Sequence, residues 1–95
     1  MMNQNLQEKL NQKLPLEVIP LVIKQLSAIP SKDEDENFKK STLSQRLKCR
    51  LWEITEVFKI QDQPFSIYQE KHPSGYNSAI KSIQKAINDY KIYID

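Results

Sequence analysis

One glycine and five prolines are the strongest constraint on this chain, because they leave few places where the backbone can turn sharply. Pro15, Pro20, Pro30, Pro64 and Pro73, with Gly75, divide it into stretches whose apolar residues recur every three or four positions and not every second one. That period is helical and argues for an all-α fold, a small bundle of four to five helices. A length of 95 residues fits one hydrophobic core, so a single helical domain over 1–95 is expected.

The stretches differ in strength. In 3–14, Leu6, Leu10 and Leu14 form a stripe too narrow and too short to hold a helix unaided, so this short N-terminal helix is mobile unless it docks. Ile19, Val22, Ile23, Leu26 and Ile29 mark the most buried helix. Its start is expected near Pro20, which lacks the amide that would bond back to Leu16 and crowds that carbonyl, and Pro30 ends it. Ser31 is then the expected N-cap, with Asp33, Glu34, Asp35 and Glu36 in the first turn, where negative charge meets the positive end of the helix dipole. The next helix, continuous or restarted at Ser41 and Thr42, runs to about Ile60 on the seam Leu43, Leu47, Leu51, Ile54 and Phe58.

Beyond it, Pro64 is placed as the first residue of a short helix through Lys71, with Phe65 and Tyr68 facing inward. Residues 72–75 read as a loop, and Ser74 or Asn77 as the cap of the last helix. That helix carries Tyr76, Ile80, Ile83, Ile87, Tyr90 and Ile94 on one side. Residues 90–95 also alternate like a strand, but the helical period reaches Ile94 and the helix is the reading kept.

Most catalytic chemistries lack their residues here. One histidine, His72, and one cysteine, Cys49, are too few for a structural zinc site, and one glycine rules out the glycine-rich phosphate loops. Asp33, Asp35 and Asn37 match the first three ligands of a calcium loop, but Phe38 stands where its glycine belongs and Ser44 where its bidentate glutamate belongs. Glu53 and Glu56 read as solvated partners of nearby cations, not as an acid–base pair. No enzyme, no metal, no cofactor and no small-molecule substrate is expected. A mean hydropathy of -0.63 and the absence of a long apolar run argue against a membrane span, and the polar opening of the chain against a signal peptide. A lone cysteine fits a reducing, cytoplasmic location.

Charge distribution is the one feature with a binding mechanism attached. Net charge is only +2, yet residues 38–52 hold Lys39, Lys40, Arg46, Lys48 and Arg50 without a carboxylate. On a helix Lys39, Arg46 and Arg50 border the apolar seam, while Trp52 and Lys48 point away from it. Helical cations of this kind can straddle phosphates or meet an acidic partner, and an exposed Trp52 would serve as an anchor. Lys81 and Lys85, one turn apart on the last helix, extend the surface.

In size, helical character and basic stripe, the chain resembles the small non-catalytic helical subunits of CRISPR surveillance complexes, a resemblance of architecture over the whole chain that no motif carries. It implies a subunit or adaptor of a larger nucleoprotein assembly, with larger protein subunits and an RNA or DNA backbone as partners. Two other readings stand beside it. One is a helix-turn-helix-like DNA-binding regulator using Ser78, Lys81, Ser82 and Lys85. The other is a small phage or plasmid-encoded inhibitor that binds a basic protein through its acidic run at 33–36.

Overall fold

The computed structural model describes residues 4–94; Asn3, assigned above to the first helix, lies outside them. Among the described residues are five α-helices and no strand: α1 (Gln4–Asn11), α2 (Pro15–Ala28), α3 (Glu34–Trp52), α4 (Phe65–Lys71) and α5 (Pro73–Tyr90). A π-helical turn, Glu53–Val57, prolongs α3. The fold is the expected all-α bundle. α3 lies between α2 and α5, α4 packs on α5, and α1 on α4. One cluster fills the centre, with Ile19, Val22, Leu47, Ile54, Phe65, Tyr68, Tyr76 and Ile83 fully shielded from solvent.

The short α1 is docked. Leu10 is buried, and Tyr76 of α5 takes a hydrogen bond from Gln7 Nε2 at 3.2 Å and donates its own hydroxyl to Asn11 Oδ1. α2 corrects the expected start at Pro20. It begins at Pro15, where a missing amide costs nothing, and runs through Pro20, which faces solvent. An interior proline costs about 3 kcal/mol, but ending the helix there would forfeit the burial of Val18 and Ile19, each worth about 1.5–3 kcal/mol.

Asp33, not Ser31, caps α3: its carboxylate accepts the Glu36 amide at 2.9 Å, and Glu36 Oε1 accepts the Lys32 amide at 2.9 Å. The pair is a variant of the capping box in which Glu36 reaches back one residue beyond the cap, and it fixes the helix two residues later than Ser31 would. No break occurs at Ser41 or Thr42; the Thr42 hydroxyl instead donates back to the Phe38 carbonyl at 2.9 Å. The π turn carries Phe58 against His72, with ring centroids 5.1 Å apart, before Lys59 at φ 54° ends the helical path.

The expected loop at 72–75 is also corrected. His72 alone joins α4 to α5, Pro73 occupies the first helical position, and neither Ser74 nor Asn77 caps the helix. Pro64 precedes α4 and is not its first residue. Gly75 lies inside α5, where its use is close approach. A Cβ there would sit well inside van der Waals contact of Tyr68 Oη and His72 Cδ2, and 2.9 Å from Glu53 Oε1. α5 stops at Tyr90 and not at Ile94, closed by Lys91 at φ 54°. The alternation of the tail then decides its path. Ile92 and Ile94 turn into the core, while Tyr93 faces out and gives both backbone groups to the Gln25 side chain, at 2.7 and 3.0 Å. The Gln25 amide takes the place of the neighbouring strand that the pattern lacks.

Candidate functional site

α3 and α5 run antiparallel, and the groove between them changes character along its length. At one end, Asp33, Asp35, Glu36 and Asp89 surround Lys39 and Tyr90. Lys39 is ion-paired to Asp35 at 3.1 Å, and the hydrogen bond and charge of that carboxylate raise its pKa. At the other end, α4 joins in. Glu53 Oε1 accepts the Tyr68 hydroxyl at 2.7 Å and lies 3.2 Å from Arg50 Nε, while Glu53 Oε2 lies 3.4 Å from His72 Nε2. Burial first, then the hydrogen bond and charge of Glu53, push the Tyr68 hydroxyl well above the usual tyrosine range.

Between these ends is a basic cleft of about 170 Å³, lined by Arg46 and Leu43 of α3 and by Ser78, Lys81, Ser82 and Lys85 of α5. No carboxylate lines it. Lys85 leans toward Asp89, with its ammonium at 2.7 Å, whereas Arg46 and Lys81 make no ion pair among the described residues. Helical spacing builds the cleft: Ser78, Lys81, Ser82 and Lys85 advance by three, one and three along the border of α5 that faces Arg46.

The structure divides the cations of residues 39–50 among different surroundings. Arg46 joins Lys81 and Lys85. Lys39 belongs to the acidic end, and Arg50 is half-buried against Glu53. Lys40 corrects the expectation of a contact residue: it is only 7% exposed, and its ammonium donates to the Ile29 carbonyl, closing the open C-terminal end of α2. Lys48 is exposed on the α2 side of α3, in a hollow of about 450 Å³ shared with Lys40, Ser41 and Ser44. Trp52 is 60% exposed on the outer face, as its position opposite the seam requires.

Phe38, 70% exposed, escaped the sequence reading, although the same projection that places Trp52 outside places Phe38 beside it. Glu53 pairs with Arg50 as expected but is only 20% exposed and not solvated; its bond to Tyr68 depends on the packing of α4 and Gly75, which spacing along α3 does not report. Cys49 is exposed, and no group of three or more His, Cys, Asp or Glu among the described residues is placed to hold a metal ion. No helix is long and apolar enough to cross a membrane among the described residues. Comparison with protein-family models, curated proteins and solved structures finds no match.

Proposed function

We propose that this protein is a non-catalytic helical subunit or adaptor of a larger assembly, and that it holds a nucleic-acid backbone in the α3–α5 cleft. The observation that carries the proposal is the convergence of Arg46, Lys81 and Lys85, with two serine hydroxyls, on one carboxylate-free cleft. Arginine supplies a planar fork for phosphate oxygens, lysine a point charge, and serine a neutral donor. Each phosphate neutralised releases condensed counterions, which gives such a cleft affinity without sequence preference.

Two features favour this reading over its rivals. A helix-turn-helix needs a turn of about three or four residues, whereas His72 alone links α4 to α5. An inhibitor that uses 33–36 as a phosphate mimic would need free carboxylates, whereas three of the four, Asp33, Glu36 and Asp35, are bonded to the Glu36 amide, the Lys32 amide and Lys39. The test is affinity purification of the tagged protein from its native source, beside Arg46→Ala/Lys81→Ala. Recovery of nucleic acid and larger subunits with the wild type, and loss of the nucleic acid from the variant, is the expected outcome. Nucleic acid retained equally by both would refute the cleft, and recovery of a monomer alone would refute the assembly.

A further inference from the structure

Lys40 is the one lysine among the described residues that the fold removes from water, and nothing in the fold carries the opposite charge to it. It is 7% exposed, makes no ion pair among the described residues, and donates to the Ile29 carbonyl, a neutral acceptor. Glu36 stands one turn earlier on α3, where a partner would be expected, but its Oε1 accepts the Lys32 amide at 2.9 Å. The open end of α2 offers about half a negative charge, which offsets only part of the ammonium. Buried charges are normally paired, so this one lacks a counter-ion. Lys40 and Ile29 both line the hollow of about 450 Å³ between α2 and α3, which puts the uncompensated charge at the wall of a space that a ligand can enter.

The rest of that wall suits an anion. Asn37, Lys40, Ser41, Ser44 and Lys48 advance by three, one, three and four along α3 and so share the side of the helix turned to α2. No carboxylate lines the hollow. Lys48 is exposed where Lys40 is buried, so one cation stands at the rim and the other at the floor.

We propose that this hollow binds the phosphate group of a small phosphomonoester, with Lys40 at its floor, Lys48 at its rim and the Ser41 and Ser44 hydroxyls as neutral donors between them. This does not rest on the nucleic-acid reading. The hollow is on the flank of α3 opposite the α3–α5 cleft, and the Lys40 ammonium is directed to the end of α2. Two ammonium groups match the charge of a monoester, about −1.5 to −2 at pH 7, whereas a phosphodiester carries a single charge. An ammonium has three donors, so Lys40 keeps the Ile29 carbonyl with one and meets a phosphate oxygen with another. The volume falls within the range of small-molecule sites, about 300–1,000 Å³, and exceeds what a bare ion needs. The phosphate therefore carries a polar body, and Asn37 and Ser31 are the groups left to meet it. With no histidine, cysteine or carboxylate in the lining, the site holds its ligand and does not transform it.

Calorimetric titration of the full chain with glycerol 3-phosphate, beside inorganic phosphate and dimethyl phosphate, tests this. Glycerol 3-phosphate should bind one to one, inorganic phosphate more weakly, and the diester about tenfold more weakly or less, having lost one charged contact. Lys40→Met keeps the buried stem, removes the charge and should weaken binding about tenfold or more. Lys48→Ala, on an exposed side chain, reads the same site without touching the core and should weaken it severalfold. Arg46→Ala/Lys81→Ala should bind as the wild type does. No binding of either phosphate, or binding that both Lys40→Met and Lys48→Ala leave unchanged, would overturn the site. Inorganic phosphate bound as tightly as glycerol 3-phosphate would overturn the monoester in favour of free phosphate. Binding lost in Arg46→Ala/Lys81→Ala but kept in Lys48→Ala would overturn the proposal by moving the anion to the α3–α5 cleft.

Discussion

The two sides of α3 are built on opposite principles. Its inner side near Gly75 is closely partnered: the Glu53 carboxylate accepts the Tyr68 hydroxyl and pairs with Arg50 and His72 in a space that only a glycine leaves open, although Arg50 Nε is buried there without a hydrogen bond. The side toward the cleft and solvent is unsaturated: Arg46 and Lys81 make no ion pair among the described residues, and Phe38 and Trp52 make no core. Groups with partners inside the molecule hold the fold, and groups without them are available to something outside it. Substitutions on the two sides should therefore fail in different ways.

The largest loss of stability is expected from Gly75→Ala. The added methyl meets Tyr68 Oη and Glu53 Oε1, and the fully buried Tyr68 ring has no room to swing away. A helical glycine replaced by alanine gains up to about 1 kcal/mol, but overpacking and the broken Tyr68–Glu53 bond outweigh it, for a net loss of about 2 kcal/mol or more in chemical denaturation. A stabilised Gly75→Ala protein would break the contrast at its firmest point.

Tyr68→Phe should cost about 1–2 kcal/mol, because it leaves Glu53 short of a donor. It also carries a pH signature. The folded state holds the Tyr68 proton more tightly than the unfolded chain does, so that contribution is fully present below pH 10.0, the ordinary value, and is lost as pH rises above it. The phenylalanine variant should lose less stability above pH 10.0 than the wild type does, in parallel denaturation series.

Lys40→Ala should cost about 1 kcal/mol and leave nucleic-acid binding unchanged, since the ammonium is spent on the Ile29 carbonyl. Smallest in stability is Arg46→Ala/Lys81→Ala, expected within about 0.5 kcal/mol of the wild type, because both side chains are exposed and make no ion pair among the described residues. A drop in melting temperature as large as that of Tyr68→Phe would mean that the cleft is structural.

Sequence spacing was enough to place the apolar seams of α3, α4 and α5 and the exposed position of Trp52, because these follow from the helical period alone. The ends of the elements were not legible in the same way. Pro20 is carried inside α2 by the burial of Val18 and Ile19, and the tail at 92–94 is held straight by Gln25, 68 residues away from Tyr93 in sequence. Arg46, Lys81 and Lys85 were each named from the sequence, but their convergence depends on the antiparallel packing of α3 and α5. The loss of Lys40 from that surface depends on where α2 ends.

The most direct measurement of the central claim is the affinity of the wild type and of Arg46→Ala/Lys81→Ala for a fluorescent single-stranded RNA and a DNA of the same sequence across a salt series. Three cation–phosphate contacts predict a log–log slope near about −2 for the wild type, and removal of two should bring it to about −0.7 with weaker binding at every salt concentration. Equal slopes and equal affinities for the two proteins would contradict the assignment of the α3–α5 cleft as the nucleic-acid contact.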